Sequence, residues 1–275
     1  GVETDTFFIA LTAVSLFSSM ITGSINTTMI PVLSEIETRE GKEGKRSHTN
    51  NLLNIVSLIS IVIIALAWIL SPNIIKVLAP GFGGKQFQLA VLMMRTGLPA
   101  IFFAGVQGVF RGYLQSELMF TESAASNFPF NFVYIFFLIF LSGLFGIKGL
   151  VVTSVLATAA QISIQIPGIK KAGFRYKYIL DFKDRYVKKI IYLIPPVLVS
   201  VGVGDLNNII DKSLASTLVA GSISALNYAN RLVGLTTGIF ISAIITVIFP
   251  MLSQVCNLGT GSCVHSDRGN LSSAA

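Results

Sequence analysis

The chain has 275 residues, 52% of them apolar and only 12% charged, with a mean hydropathy of +0.73. An ordinary soluble domain is about one quarter charged, so lipid is the expected solvent. The net charge of +7 does not point to nucleic acid, because the basic residues fall in short gaps between apolar runs rather than along one exposed face.

A bilayer core takes about 20 apolar residues of helix. Seven such runs follow in chain order, at roughly 6–33, 52–70, 89–114, 128–147, 149–169, 190–214 and 222–252. The expected fold class is therefore an all-α polytopic membrane protein with about seven transmembrane helices. The second and fourth runs carry no charge at all. The fifth is rich in Ala, Ser, Thr and Gln, and such helices pack against neighbouring helices rather than face lipid. In domain terms, 1–169 reads as an N-terminal transmembrane bundle and 170–189 as a basic cytoplasmic loop. Residues 190–254 read as the start of a second bundle, and 255–275 as a disordered or non-native tail.

The gaps set the orientation. Arg39, Lys42, Lys45 and Arg46 lie in 34–51, and Lys170, Lys171, Arg175, Lys177, Lys183, Arg185, Lys188 and Lys189 lie in 170–189. The alternate gaps are poor in Lys and Arg, so the positive-inside rule places these two in the cytoplasm and Gly1 outside. No signal peptide is expected, because Glu3 and Asp5 stand where a basic segment would. A start on the outer face, without methionine, reads as a fragment lacking one upstream helix. The 170–189 segment reads as a topology anchor. With Phe174, Tyr176 and Tyr178 beside it, contact with anionic lipid headgroups is the alternative.

An internal repeat is visible at a constant offset of 219, laying 4–35 over 223–254. Ala10 meets Ala229, Val14 meets Val233, Leu16 meets Leu235, Ile25 meets Ile244 and Thr27 meets Thr246. Pro31-x-Leu33-Ser34 meets Pro250-x-Leu252-Ser253. An even number of spans separates the two copies, which makes this a parallel pseudo-repeat of helical bundles, as in many transporters.

Polar groups inside the membrane are costly, about 2.5–3.5 kcal/mol for a charge at a helix centre. Arg231, in the run Asn227-Tyr228-Ala229-Asn230-Arg231, can grip phosphate with its forked guanidinium; a snorkelling interfacial arginine is the alternative. Asp205 and Asn208, at i and i+3, either line a cavity that could hold a cation or hydrogen-bond between helices. Asp211 and Lys212 read as an interfacial ion pair, Arg95 as interfacial, and Asp5 as the cap of its own helix. Ser18 and Asn26, with Ser15, Ser19, Thr22 and Ser24, give the first span a polar lining. His48 is expected in a loop and His265 in the tail. No catalytic motif, cofactor motif or metal site is legible, and Cys256, Cys263 and His265 read as tail residues rather than ligands.

Specific runs then become recognisable. Thr4-Asp5-Thr6-Phe7-Phe8-Ile9-Ala10, Ile30-Pro31-Val32-Leu33-Ser34-Glu35, Leu78-Ala79-Pro80-Gly81-Phe82, and Gly221-Ser222-Ile223-Ser224-Ala225-Leu226-Asn227-Tyr228-Ala229-Asn230-Arg231-Leu232 stand in order. Together with Phe249-Pro250-x-Leu252-Ser253, they resemble the corresponding motifs of the MurJ (MviN) lipid II flippases, within the multidrug/oligosaccharidyl-lipid/polysaccharide exporter superfamily. The resemblance implies a multi-pass protein of the bacterial plasma (inner) membrane. Such a protein moves lipid II, the undecaprenyl-pyrophosphate-linked peptidoglycan precursor, from the inner to the outer leaflet by alternating access. It assigns the substrate cavity to Arg231, Ser224, Asp5 and Asn230, the last in place of the family's aspartate. It also implies that the chain is truncated at both ends relative to the family. The first helix with its arginines is absent, and the second helix reads Phe17-Ser18-Ser19 where many members carry an arginine pair. Cell-wall synthesis proteins are candidate partners, and nucleic acid is not. The alternatives are a sister exporter of another lipid-linked oligosaccharide, a cation-coupled drug exporter, and a non-transporting scaffold for cell-wall enzymes.

Overall fold

The computed structural model describes residues 1–238 and Phe240. The paired Pro-x-Leu-Ser ending at 250–253, Cys256, Cys263 and His265 lie outside the described residues. Every regular element among the described residues is helical. The helices are α1 (Val2–Leu78), α2 (Gly84–Gly97), α3 (Pro99–Ser116), α4 (Phe120–Ala125), α5 (Asn127–Phe136), a π-helical turn (Phe137–Leu141), α6 (Ser142–Lys171) and α7 (Arg185–Ser216). Residues 222–238 are helical as well. The runs Val2–Leu78, Gly84–Ser116 and Phe120–Lys171 contain stretches long and apolar enough to cross a membrane, and Arg185–Ser216, bent between Val197 and Gly202, makes a fourth.

Continuity does not mean straightness. A helix the length of α1 would extend about 115 Å at 1.5 Å per residue, far beyond a hydrocarbon core of about 30 Å. Gly41 breaks it with φ +71°, a left-handed geometry that glycine adopts without penalty. The arms on either side fold back on each other. Ile21 and Ile25 of the first arm and Val56, Ile59 and Ile63 of the second line one cavity of about 280 Å³. Gly146, at φ +55°, does the same for the two arms of the next hairpin. Glu122 packs against Gly168, and Phe137 against Gly149.

The expected loop at 34–51 is thus helical on both sides of Gly41, and His48 sits on a helix. The segment is polar but helix-favouring, and Arg39 pairs with Glu35 at i and i+4, 3.2 Å apart. The expected third span is two helices, broken where Pro99 takes the first position of α3, the place proline tolerates best.

The core joins Ile25, Met29, Val32, Leu33 and Ile36 to Leu52, Leu53, Val56, Val109, Tyr113 and Leu114. The outward faces are apolar too. Ile61, Leu66 and Ile69 of α1 are exposed, as are Phe132, Ile139 and Phe140, and α5 buries nothing. Large contiguous apolar surface of this kind suits lipid rather than water. The small-residue run in α6 instead turns Thr153, Ser154, Ala157, Gln165 and Gly168 inward. Residues Gly1–Ser224 form one compact unit and Ala225–Ala275 a second.

Candidate functional site

Polar contacts concentrate at the two ends of the first unit and along one seam between them. At one end, Asp5 lies in the first turn of α1 and is 2% exposed. Its carboxylate accepts hydrogen bonds from the Gly221 N–H (2.5 Å), the Ser224 N–H (2.8 Å) and the Ser224 hydroxyl (2.5 Å). The helix at 222–238 begins there, and the first N–H groups of any helix lack internal partners. Asp5 therefore caps a helix far away in sequence rather than its own, with its negative charge at the favourable pole of that helix. The Leu78-Ala79-Pro80-Gly81-Phe82 run closes the same end. A Cβ at Gly81 would stand 2.0 Å from the Ser216 carbonyl oxygen, and the Gly81 N–H donates to Ser216 Oγ at 3.2 Å. Only glycine allows so close an approach.

Along the seam, Lys212 Nζ donates to Thr12 Oγ1 at 2.5 Å, and Ser19 Oγ donates to Asp205 Oδ2 at 2.7 Å. Asp5, Thr12 and Ser19 are seven residues apart on α1, and Asp205 and Lys212 are seven apart on α7. Seven residues make nearly two turns, so the polar groups form one stripe on each helix, and the antiparallel stripes meet. Asn26 is the next position of the α1 stripe; it is half-buried, and its side-chain oxygen has no partner.

The expected site residues are thus distributed as follows. Asp5 and Ser224 are brought together and bond to each other. Asp205 bonds Ser19, whereas Asn208 is exposed and donates back to the Gly204 carbonyl at 3.2 Å. Ser18 is half-buried, and its carbonyl accepts from the Thr22 hydroxyl. Lys212, expected to face Asp211, reaches Thr12. Arg95 donates to Ser71 Oγ at 2.8 Å and lies 5.5 Å from the Trp68 ring. Asn230 and Arg231 are exposed on the 222–238 helix, in the second unit.

The opposite, basic end holds residues that the sequence did not single out for this purpose. Lys45 is fully buried, with Nζ 2.7 Å from Glu37, 2.6 Å from Glu117 and 3.3 Å from the Ser116 carbonyl. The Lys45 hydrogen bond, opposed by burial, holds the Glu37 carboxyl below its usual range. His48 stands between Asp184 at 2.6 Å and Glu40 at 2.8 Å. Burial of His48 favours its neutral form, but the two carboxylates outweigh it and the imidazole pKa is raised. Asp184 also caps α7 through the Tyr186 N–H; burial pushes its carboxyl up, yet the bonds from His48, Asn51 and Tyr186 leave it lowered. Asn50, Asn51 and Asn54 act as a comb. Their amides donate to the carbonyls of Arg175, Asp181 and Ile179 at 2.9, 2.8 and 2.8 Å. Their oxygens accept from Lys177 N, Asp181 N and Tyr176 Oη. The two basic gaps therefore meet at one end of the unit.

Comparison with known proteins agrees with this architecture. The family model described as lipid II flippase MurJ matches residues 1–267. A probable lipid II flippase MurJ of Rickettsia prowazekii is 32% identical over 196 residues, covering 70% of this chain and 38% of that protein. The corresponding protein of Buchnera aphidicola subsp. Baizongia pistaciae is 28% identical, covering 92% and 50%. A solved structure of lipid II flippase MurJ in an inward closed conformation superposes with a TM-score of 0.70 at 23% identity, covering 87% of this chain and 50% of that one. The chain spans about half the length or less of these relatives. It is a multi-pass helical membrane protein, and it belongs to the MurJ lipid II flippase family.

Proposed function

We propose that the intact protein flips lipid II from the inner to the outer leaflet of the bacterial plasma membrane by alternating access, with the basic end in the cytoplasm. A pyrophosphate cannot cross hydrocarbon bare, because desolvating it is prohibitively costly. The forked guanidinium of Arg231 supplies donors that replace its water while the polyprenyl tail stays in lipid. Residues 190–254 open the second of the two bundles that move against each other.

The observation that carries this reading is the buried Asp5 carboxylate on the first turns of the helix at 222–238. It closes the end opposite the basic loops with hydrogen bonds and no covalent tie, as a gate that must reopen requires. The Thr12–Lys212 and Ser19–Asp205 contacts extend that closure along the seam. In this role Asp5 and Ser224 act as the latch, and Arg231 as the headgroup ligand.

The test is rescue of a bacterium depleted of its own lipid II flippase by the intact gene. Rescue with externally accessible lipid II supports the reading. Failure by a protein that reaches the membrane favours another lipid-linked oligosaccharide or a scaffold role. Arg231→Ala is expected to insert normally and to abolish accumulation of external lipid II.

A further inference from the structure

The segment joining α6 to α7 is a strap whose large side chains are exposed. Tyr176, Tyr178, Leu180 and Phe182 are 61%, 74%, 39% and 50% exposed, and the Tyr176 hydroxyl donates to Asn54 Oδ1. The intervening Arg175, Lys177 and Ile179 line a cavity of about 540 Å³ together with Glu43, Arg46, Ser47, Asn50 and Gly173. Phe174 anchors the start of the strap, buried against the rings of Phe110 and Tyr113. The asparagine comb fixes its backbone from Arg175 to Asp181, so the cavity has a preformed wall.

The cavity holds three cations against one carboxylate. That carboxylate, Glu43, is 83% exposed and 3.7 Å from Arg46, so it neutralises little. The Arg46 guanidinium lies against Gly173, where a Cβ would come within 2.3 Å of Nη2. Its Nε is buried with no hydrogen-bond partner. A forked guanidinium with unfilled donor capacity, flanked by two more cations, matches a phosphate oxygen set. The exposed aromatic face decides where the phosphate comes from. A site for a soluble anion has no use for it, whereas aromatic side chains beside basic ones are what a membrane–water interface attracts.

We propose that this pocket binds the phosphate of an anionic phospholipid in the leaflet facing the basic end, with Tyr178, Leu180 and Phe182 seated in that interface. The site is separate from Arg231 and does not depend on lipid II being the cargo.

The test uses the intact protein reconstituted in phosphatidylcholine bilayers with spin-labelled phosphatidylglycerol or phosphatidylcholine. The readout is the relative affinity of the two lipids for the protein. The wild type is expected to prefer phosphatidylglycerol, and the triple change Arg46→Gln, Arg175→Gln, Lys177→Gln to lose at least about tenfold of that preference. Lys183→Gln with Lys188→Gln, on the strap and the first turn of α7 and outside the cavity, is expected to change it by no more than about twofold. Should the triple variant melt early, the exposed Lys177→Glu serves in its place, with the same expected loss. Retained preference in the cavity variants overturns the proposal. So does an equal loss in the Lys183/Lys188 variant, which would mean diffuse charge only. Full competition by millimolar inorganic phosphate would mean a soluble-anion site and overturns it as well.

Discussion

Asp5 accepts two hydrogen bonds from Ser224, one from the backbone N–H and one from the hydroxyl, and the two residues are separated by 219 positions. That separation is also the offset of the sequence repeat, so the contact joins two positions that the repeat aligns with each other. Each residue opens the helix of its own copy.

Asp5→Ala removes the acceptor and leaves the buried Ser224 N–H and the part-buried Gly221 N–H without a partner. Each such orphan costs about 1–3 kcal/mol, and the loss of a cap alone costs about 1 kcal/mol. Thermal unfolding in detergent is expected to show a clearly lower midpoint, while Asp5→Asn, which keeps an acceptor, loses less.

At the other end, Lys45→Ala strands Glu37 and Glu117 around an emptied site. Breaking a buried ion pair from one side costs about 3–5 kcal/mol. The triple change Lys45→Met, Glu37→Gln, Glu117→Gln is expected to recover most of that stability, which the same unfolding measurement checks.

His48 makes the basic end sensitive to pH. Its pKa in the folded chain is raised, so the stabilisation it gives is fully present below the unfolded value of about 6.5 and is lost as pH rises through the folded value. Asp184, whose pKa is lowered, has the opposite sign: its contribution is lost only in acid, as pH falls below the ordinary carboxylate range. Hydrogen exchange of 172–184 is expected to quicken from pH 6 to pH 9 beyond its intrinsic rate change, and His48→Gln is expected to flatten that excess.

The Ser19–Asp205 contact ties α1 to α7 inside the membrane. A double-mutant cycle of Ser19→Ala and Asp205→Asn is expected to give a coupling of about 0.6 kcal/mol, with about 1.7 as a ceiling for such bonds. Additive effects within error would mean that the two side chains do not interact.

Much of the architecture was legible because lipid imposes a simple rule on sequence. Charge-free runs such as 52–70 are long and apolar enough to cross the membrane, and the basic gaps at 34–51 and 170–189 meet at one end. The polar seam was harder to see. The polar lining of the first span contains both Ser18 and Ser19, and which of them meets Asp205 depends on the antiparallel register of α1 against α7, which no local pattern encodes. The seven-residue spacing of Asp5, Thr12, Ser19 and Asn26 was the available signal. The asparagines at 50, 51 and 54 carry no motif of their own; their pairing with a strap more than 120 positions away is set by tertiary structure alone. Asp5 was expected to cap its own helix, and local reasoning has no means of proposing a remote one.

Whether the Asp5–Ser224 latch must open during transport can be tested with the intact protein carrying Asp5→Cys and Ser224→Cys in a background where Cys256 and Cys263 are serine. Externally accessible lipid II is measured before and after oxidation. Oxidation is expected to block its appearance and a reductant to restore it. Undiminished external lipid II with the two cysteines fully cross-linked would contradict the gate.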